Sequence, residues 1–300
     1  MTGRKETMLS TDEPFRAEGG SLYVVATPIG NLRDVTLRAL DILASVDIIA
    51  AEDTRVTSKL LARHGIATRP RALHRHNEAR EAESIVAELR AGRSVALVTD
   101  AGTPGISDPG ARVVRAVREA GSPIVPIPGP SAVAAAISAA GLVAERFAFV
   151  GFLPAQAKPR RECLATIGAW PVALVFYEAP HRIAATLDEL ARALDPHRTL
   201  SIARELTKAF ETIASMPLGE ASAWIAADPN RARGEFVLIV DAPRSEMQSS
   251  ALTPQTERLL AALLDELPPS RAARVVAAAT GLAREAIYAR ALALQARDRG

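Results

Sequence analysis

Short apolar runs alternate with amphipathic segments along most of the chain. In the first half, four such runs predict buried strands, at 22–26, 46–50, 95–98 and 124–127. The segments between them carry apolar residues at helical spacing, as in a helix that Asp34 is expected to cap, with Leu37, Leu40 and Leu43 on one face. Strands that alternate with helices predict a parallel sheet whose ligand-binding turns gather at the carboxyl ends of the strands.

A second set of strands and a helical tail follow this first region. The second-half strands are expected at 147–150, 172–177, 199–203 and 236–240. They predict a second α/β domain with a more mixed sheet. The tail predicts amphipathic helices around a tight turn at Thr280, Gly281 and Leu282, which fits either a helix-turn-helix or a small packing bundle with a solvated basic face.

The predicted fold class is therefore α/β, with two α/β domains that enclose a cleft and a small helical domain at the C-terminus. The expected divisions are a disordered N-terminal extension at 1–20, an N-terminal α/β domain at 21–130, a second α/β domain at 131–243 and a helix-turn-helix-like domain at 250–300.

The segment from Leu97 to Gly110, LVTDAGTPGISDPG, runs from a strand into a glycine-rich turn and then into a helix. Asp108 and Pro109 are expected to start that helix, as a capping side chain and a proline at the first helical position. Such a turn either presents backbone N–H groups to a nucleotide-like ligand or is simply a flexible connection. A phosphate-binding loop is excluded because Ala111 and Arg112 stand where its Lys and Ser/Thr would be.

Composition narrows the function classes only modestly. The net charge is +2 and nearly all basic residues are arginines, which is compatible with RNA binding. The single cysteine, Cys163, excludes an internal disulfide, and the histidines have no metal-ligand spacing, so no metal is expected. No secretory signal or membrane span is expected, and a cytoplasmic location is predicted.

Four turns would meet at one edge of the first sheet, at 27–31, 52–55, 100–107 and 128–131. Backbone amides in such turns can hold a carboxylate or a ribose. A ligand with a carboxylate, a ribose and a purine but no phosphate would suit them, and S-adenosylmethionine is one such ligand.

A set of motifs in order makes the interpretation more specific: TPIGNLRD at 27–34, AEDTR at 51–55, DAGTPGISDPG at 100–110, PGPSA at 128–132, FYEAPHR at 176–182, ARELTK at 203–208 and RGEF at 233–236. Together they resemble the tetrapyrrole methylase superfamily and, within it, the ribosomal RNA small subunit methyltransferase I family. The resemblance implies transfer of a methyl group from S-adenosylmethionine to the ribose 2′-oxygen of a cytidine in the decoding region of 16S rRNA. It also implies 16S rRNA, within the 30S subunit, as partner, and a homodimer.

The resemblance also implies cofactor contacts at matching positions. These are Pro28, Gly30, Asp100, Gly102, Thr103, Pro104, Ile106, Ser107, Ser131, Ala132, Tyr177, Ala203 and Gly234. Thr103 stands where most members of the superfamily have an aspartate, and Asp100 is expected to supply a polar contact in its place. Glu178 replaces a methionine common in porphyrin-modifying relatives, which favours a polar acceptor over a flat macrocycle.

A ribose hydroxyl is a weak nucleophile, so a base or a stabilising cation is expected near it. Candidate proton acceptors are Glu52, Asp53, Glu178 and Glu205, and candidate cations are Arg55, Lys59, Arg204 and Lys208. Each could instead form a surface ion pair or a helix cap; Asp53 or Thr54, for example, could cap a helix at 55–63.

Basic and polar side chains beside the cleft are candidates for RNA contact, because they can neutralise phosphates. They are His74, Arg75, His76, Asn77, Lys158, Arg160, Arg161, His181, Arg182 and Lys208. Aromatic residues make up 4% of the chain, which argues against an extended stacking platform. Two alternatives to an rRNA enzyme are a methylase of a tetrapyrrole or other small molecule and a DNA-binding regulator that uses the helix-turn-helix.

Overall fold

Two five-stranded sheets organise the protein, and a helical segment follows them. The structure, a computed structural model, describes residues 14–73, 78–142, 145–243 and 254–297. Part of the predicted N-terminal extension lies outside these ranges, as do His74, Arg75, His76 and Asn77 and most of the segment from Asp241 to Ser250, whose proline and serines predict a linker.

The first sheet is entirely parallel, with the strand order β3-β2-β4-β1-β5. Its strands are β1 Leu22–Val25, β2 Ile48–Ala51, β3 Pro70–Ala72, β4 Val95–Val98 and β5 Ile124–Ile127. The helices in this part of the chain are α1 Leu37–Ser45, α2 Thr54–Arg63, α3 Glu78–Arg90, α4 Ala111–Glu119 and α5 Ala132–Ala140. Apolar side chains bury both faces of the sheet, which explains why its strands read as continuous apolar runs.

The second sheet is mixed, with the order β6-β7-β10-β8-β9; β6 and β7 are parallel and the other pairs antiparallel. Its strands are β6 Phe147–Phe152, β7 Ala173–Glu178, β8 Thr199–Arg204, β9 Thr212–Pro217 and β10 Phe236–Val240. Its helices are α6 Ala157–Ile167, α7 Ile183–Ala193 and α8 Ala221–Ala226. One face packs on α7, while α5 covers the other through Ala136. Helix α5 therefore carries the chain from the first sheet onto the second.

The C-terminal segment contains α9 Pro254–Glu266, α10 Pro269–Thr280 and α11 Arg284–Arg297. These helices share a core that includes Leu260, Val276 and Ile287. Gly281 ends α10 with a φ of 72°, the left-handed conformation common after helices. No helix in the described ranges is long and apolar enough to cross a bilayer.

Two predicted helix starts are wrong. Thr36, not Asp34, caps α1, because its hydroxyl accepts a hydrogen bond from the N–H of Ala39 at 3.2 Å. Helix α4 begins at Ala111, and its N-cap residue is Gly110, whose φ is 128°, rather than Asp108. Asp108 and Pro109 therefore belong to the preceding turn. Strands β3 and β9, which both lie at the edges of their sheets, were not predicted from the sequence.

Candidate functional site

A cleft of about 410 Å³ lies between the two sheets. First-domain turns that follow β1, β4 and β5 form one side, and the ends of β6, β7, β8 and β10 form the other. Its lining residues are Ile29, Ala101, Gly102, Thr103, Ile106, Ser107, Asp108, Ser131, Ala132, Phe152, Tyr177, Glu178, Ala179, Pro180, His181, Ala203, Leu206, Lys208, Glu235, Phe236 and Val237.

Hydrogen bonds hold the first-domain turns together. The backbones of Thr27 and Gly102 exchange two hydrogen bonds, of 2.9 and 3.0 Å, and the Thr27 hydroxyl donates to the carbonyl of Thr99 at 3.0 Å. The hydroxyl of Thr103 donates to the carbonyl of Pro130 at 3.2 Å. Thr103 thus links the turn after β4 to the turn after β5. The motif predicted a cofactor contact for Thr103 but not this hydrogen bond.

Strained backbone is concentrated beside this cleft. The non-glycine residues of the described chain with positive φ are Ser107 at 64°, Glu205 at 52° and Thr207 at 65°. Such conformations are costly for residues with a Cβ, especially for a β-branched threonine, and they cluster at binding and catalytic sites. Ser107 lines the cleft, and Glu205 and Thr207 adjoin its lining residues Leu206 and Lys208, which supports the cleft as the candidate functional site.

Gly30 is the point at which the first domain closely approaches the second. A Cβ at this position would lie 2.6 Å from Cγ of Lys208 and 2.8 Å from the carbonyl oxygen of Leu206. Only glycine fits between these atoms without displacement of one segment. Gly30 therefore sets the spacing of the two cleft walls and does not itself line the cleft.

Lys208 lines the cleft between two carboxylates. Its Nζ donates to Oε1 of Glu205 at 2.9 Å and to Oε2 of Glu235 at 2.7 Å. Burial works against its charge, but these two carboxylates outweigh that effect and raise its pKa. Burial likewise opposes ionisation of Glu205, yet hydrogen bonds from the N–H of Glu235 and from Lys208 lower the pKa of Glu205. The cleft thus holds a persistent ammonium group, and Glu205 is a poor proton acceptor.

Glu178 also lines the cleft, and its buried carboxylate has partners inside the protein. It accepts hydrogen bonds from the hydroxyl of Thr186 at 2.6 Å and from the N–H of Ala179 at 2.8 Å. Nε of Arg182 lies 3.2 Å from Oε1 as an ion-pair contact, without the alignment of a hydrogen bond. These contacts give Glu178 a role in fixing the turn after β7.

The acidic motif after β2 forms a helix cap. Asp53 caps α2 and accepts hydrogen bonds from the backbone and the guanidinium of Arg55, which lower its pKa to about 2. Asp100 accepts a hydrogen bond from the N–H of Asp53 at 2.9 Å and so joins the ends of β2 and β4. Asp53, Arg55, Asp100 and Glu52 are not among the cleft-lining residues. Of the predicted proton acceptors, the structure places Glu178 at the cleft.

The predicted cofactor residues divide into two groups. Those that line the cleft are Gly102, Thr103, Ile106, Ser107, Ser131, Ala132, Tyr177 and Ala203. Those that do not line it are Pro28, Gly30, Asp100, Pro104 and Gly234. Gly234, with a φ of 90°, leaves room for the side chain of Glu205, which a Cβ would overlap. Gly30 and Gly234 thus allow close packing against Lys208 and Glu205.

The predicted RNA-contact residues have different surroundings. Lys208 lines the cleft, as does His181, whereas Lys158 and Arg161 are exposed on α6. Arg160 is buried and makes a two-pronged ion pair with Glu189, at 2.5 and 2.8 Å. Its guanidinium is committed to packing α6 against α7.

Arg182 is also turned inward. Its Nη2 donates to the carbonyl of Leu153 at 2.6 Å, on the segment that follows β6. Arg160 and Arg182 are therefore held by partners within the protein rather than presented to RNA.

Several lining residues were not named from sequence. Ile29, Leu206 and Glu235 lie inside the motifs TPIGNLRD, ARELTK and RGEF, so their neighbours already pointed to them. Phe152 had no such signal, because an apolar residue at a strand end is an ordinary core position. Only the packing of the two domains places it on the cleft. Within the described residues, no cluster of three or more metal-ligating side chains occurs.

Comparisons with known proteins agree with this arrangement. Residues 21–222 match the family model described as Tetrapyrrole (Corrin/Porphyrin) Methylases, and residues 250–295 match the RsmI C-terminal HTH domain. A ribosomal RNA small subunit methyltransferase I from Escherichia coli O157:H7 is 49% identical over 276 residues, 92% of this chain and 96% of the relative. A protein of the same description from Vibrio cholerae serotype O1 is 50% identical over 271 residues, 89% of this chain and 92% of the relative.

Solved structures support the fold of the two α/β domains. Uroporphyrin-III-C-methyltransferase from Thermus thermophilus matches with a TM-score of 0.53 and 20% identity, over 74% of this chain and 94% of its own. Cobalt precorrin-4 methyltransferase matches with a TM-score of 0.56 and 16% identity, over 74% of this chain and 95% of its own. These likenesses confirm the predicted architecture.

Proposed function

The chain belongs to the ribosomal RNA small subunit methyltransferase I family of the tetrapyrrole methylases, and from that membership we propose its donor, acceptor and partners. It is a methyltransferase. The donor is S-adenosylmethionine, and the acceptor is the ribose 2′-oxygen of a cytidine in the decoding region of 16S rRNA. The observation that carries this proposal is the cleft between the domains, which the motif-bearing turns of both domains form.

The cleft residues fit such a donor. The volume of about 410 Å³ falls within the usual range for small-molecule sites. Ile29, Leu206 and Val237 give apolar walls for an adenosine and a methionine side chain, and Ser107 and Ser131 supply hydroxyls. The hydroxyl of Ser131 makes no capping bond to α5, although the residue stands at the cap position. When bound, S-adenosylmethionine supplies an electrophilic methyl group on a cationic sulfur.

The chain contributes position and charge to the transfer. The acceptor loses its O–H proton, a bond forms between that oxygen and the methyl carbon, and the bond between the methyl carbon and sulfur breaks. The turns held together by Thr27, Thr103 and the contact at Gly30 fix the two walls, and alignment of reactants can supply up to about 7–11 kcal/mol. Lys208 remains charged, and beside the two N–H groups that it donates to Glu205 and Glu235, its third N–H can donate to the 2′-oxygen.

We further propose that the substrate is rRNA within the 30S subunit and that the enzyme acts as a homodimer. Lys158 and Arg161 are exposed on α6, the helix that follows the cleft residue Phe152, and they suit contacts with phosphates. Support for the dimer is the family resemblance alone.

Methylation of 30S subunits from a strain that lacks the enzyme tests the function. Labelled S-adenosylmethionine should transfer one methyl group to a decoding-region cytidine, at a position mapped by digestion of the RNA. Parallel reactions contain naked 16S rRNA and uroporphyrinogen, and a filter-binding arm contains duplex DNA. Label on the tetrapyrrole and none on either RNA would establish the small-molecule alternative, and tight sequence-specific duplex binding without turnover would establish the regulator.

A further inference from the structure

Strand β6 contains an irregularity at the edge of the cleft. Its pairing with β7 shifts between Phe149 and Gly151, so one extra residue is accommodated there. In a regular strand, residues three apart point to opposite faces. The extra residue places Phe149 and Phe152 on the same face, where both rings meet Tyr177 edge-on, with centroids 4.9 and 5.7 Å from it.

Gly151 makes this irregularity possible. Its φ is 75°, and a Cβ there would lie 2.9 Å from Oγ of Ser107 in the opposite wall. The strand therefore bends directly against the strained first-domain turn. Bulges beside active sites commonly redirect a side chain, and here the redirected side chain is Phe152.

The segment after Phe152 is anchored on the other side. Leu153 is buried, and its carbonyl accepts the hydrogen bond from Arg182, which in turn lies against Glu178. Phe152 is thus held between a glycine bulge and a buried anchor. Even so, its side chain lines the cleft and is 52% exposed.

An exposed phenylalanine that is firmly positioned needs a reason. The other aromatic residues at the cleft differ: Phe236 is buried, and Tyr177 is covered in part by Phe149 and Phe152. Lys208 offers a hydrogen-bond donor here, while the carboxyl groups of Asp108, Glu178 and Glu235 line the same cleft and offset its positive charge. A flat apolar group with hydrogen-bonding edges suits this lining, and an unpaired RNA base, which stacks on an aromatic ring, is such a group.

We propose that Phe152 is a stacking platform for an unpaired nucleobase of the RNA at the mouth of the cleft. This inference rests on the proposed function, and it makes Phe152 a residue that binds the acceptor. A single platform is consistent with the low aromatic content, because one base beside the reacting ribose needs one ring.

Substitution at Phe152 tests the proposal, and Phe147 provides a matched control. Phe147 lies at the other end of the same strand and is 51% exposed, but it does not line the cleft. We would measure kcat and KM for 30S methylation, and calorimetric binding of S-adenosylmethionine, for wild type, F152A, F152L, F152W and F147A.

The expected result is a KM for 30S subunits about ten-fold higher in F152A and F152L, the scale of one lost base stack. F152W should remain within about two-fold of wild type, and donor affinity should be unchanged in all variants. F147A should match wild type throughout.

Equal KM values for F152A and wild type would overturn the proposal, as would full activity in F152L, since leucine keeps apolar area without a ring. A loss of donor affinity in F152A with unchanged KM for RNA would assign the ring to the donor's adenine instead. Inactivity of the wild-type enzyme on 30S subunits would refute the proposed function itself, a result distinct from these.

Discussion

Substitution of Glu178 tests whether this residue is a catalytic base or a structural carboxylate. Glu178 is 2% exposed. Its carboxylate oxygens accept hydrogen bonds from Thr186 and Ala179, and Oε1 forms an ion pair with Arg182. If this network is structural, E178A leaves a buried hydroxyl and a guanidinium without their partner. Loss of one member of a buried pair costs about 3–5 kcal/mol, which corresponds to a decrease in Tm of about 10 °C for a domain of this size.

The isosteric variant E178Q separates the two roles. The glutamine oxygen can still accept from Ala179, so the loss of stability should be smaller, about 1–2 kcal/mol. A general base contributes about 10²–10⁴-fold to rate, whereas a structural role predicts kcat for E178Q within about ten-fold of wild type. The assay is denaturant unfolding together with kcat measured at saturating 30S and donor.

Thr186 provides the control because it contacts Glu178 but does not line the cleft. T186V should reproduce part of the loss of stability, and the double variant with E178Q should lose less than the sum of the two single changes. A kcat for E178Q at least 10²-fold below wild type, with unchanged stability and donor binding, would refute the structural interpretation.

Three further predictions concern the walls and surface. G30A should lower Tm and weaken donor binding, because its Cβ would lie 2.6 Å from Cγ of Lys208; an unchanged Tm and donor affinity would contradict the close approach. The side-chain hydrogen bond from Arg55 is the main cause that lowers the pKa of Asp53 to about 2. The ionised Asp53 therefore stabilises the folded protein above about pH 4, and this contribution is lost as the pH falls towards 2. D53A should therefore destabilise the protein more at pH 7 than at pH 2.5 in denaturant titrations, and an equal effect at both values would be inconsistent with an ionised cap. For a K158A/R161A double variant, the slope of log K against log salt for rRNA binding should be shallower by about 1.4, and an unchanged slope would remove both residues from the RNA surface.

Strand prediction succeeded where both faces of a strand are buried, and of the four edge strands it found β5 and β6 but missed β3 and β9. Strands such as β4, buried on both faces, appear in sequence as unbroken apolar runs. By contrast, β3 is three residues long and begins with Pro70. Along β9, TIASMP, half-buried positions alternate with exposed ones, and none is fully buried. Edge strands need fewer apolar residues, because one side and often one face remain open. Their pairing depends on the neighbouring strand, which local sequence does not describe.

The sequence predicted which turns form the candidate site, but it did not predict the roles of the individual carboxylates. Motifs containing Gly102, Ser107 and Ser131 led to the cleft wall, since parallel strands place their carboxyl-end turns together. Whether a carboxylate is free or occupied depends on partners elsewhere in the chain. Asp53 and Glu178 carry the same type of group in equally prominent motifs, yet one caps a helix outside the cleft and the other anchors a turn at its wall.

These partners bear on how the reaction is catalysed. Asp53 and Glu205 both have lowered pKa values, so each is a weak proton acceptor near neutral pH, and Glu178 already accepts two hydrogen bonds. The charge at the cleft that the surrounding structure reinforces is the ammonium of Lys208. Glu205 and Glu235 balance this positive charge, so the ammonium acts on the hydroxyl as a hydrogen-bond donor through its third N–H, and the hydroxyl proton can leave to water. The arrangement therefore favours catalysis by alignment and electrostatic stabilisation over catalysis by a dedicated base.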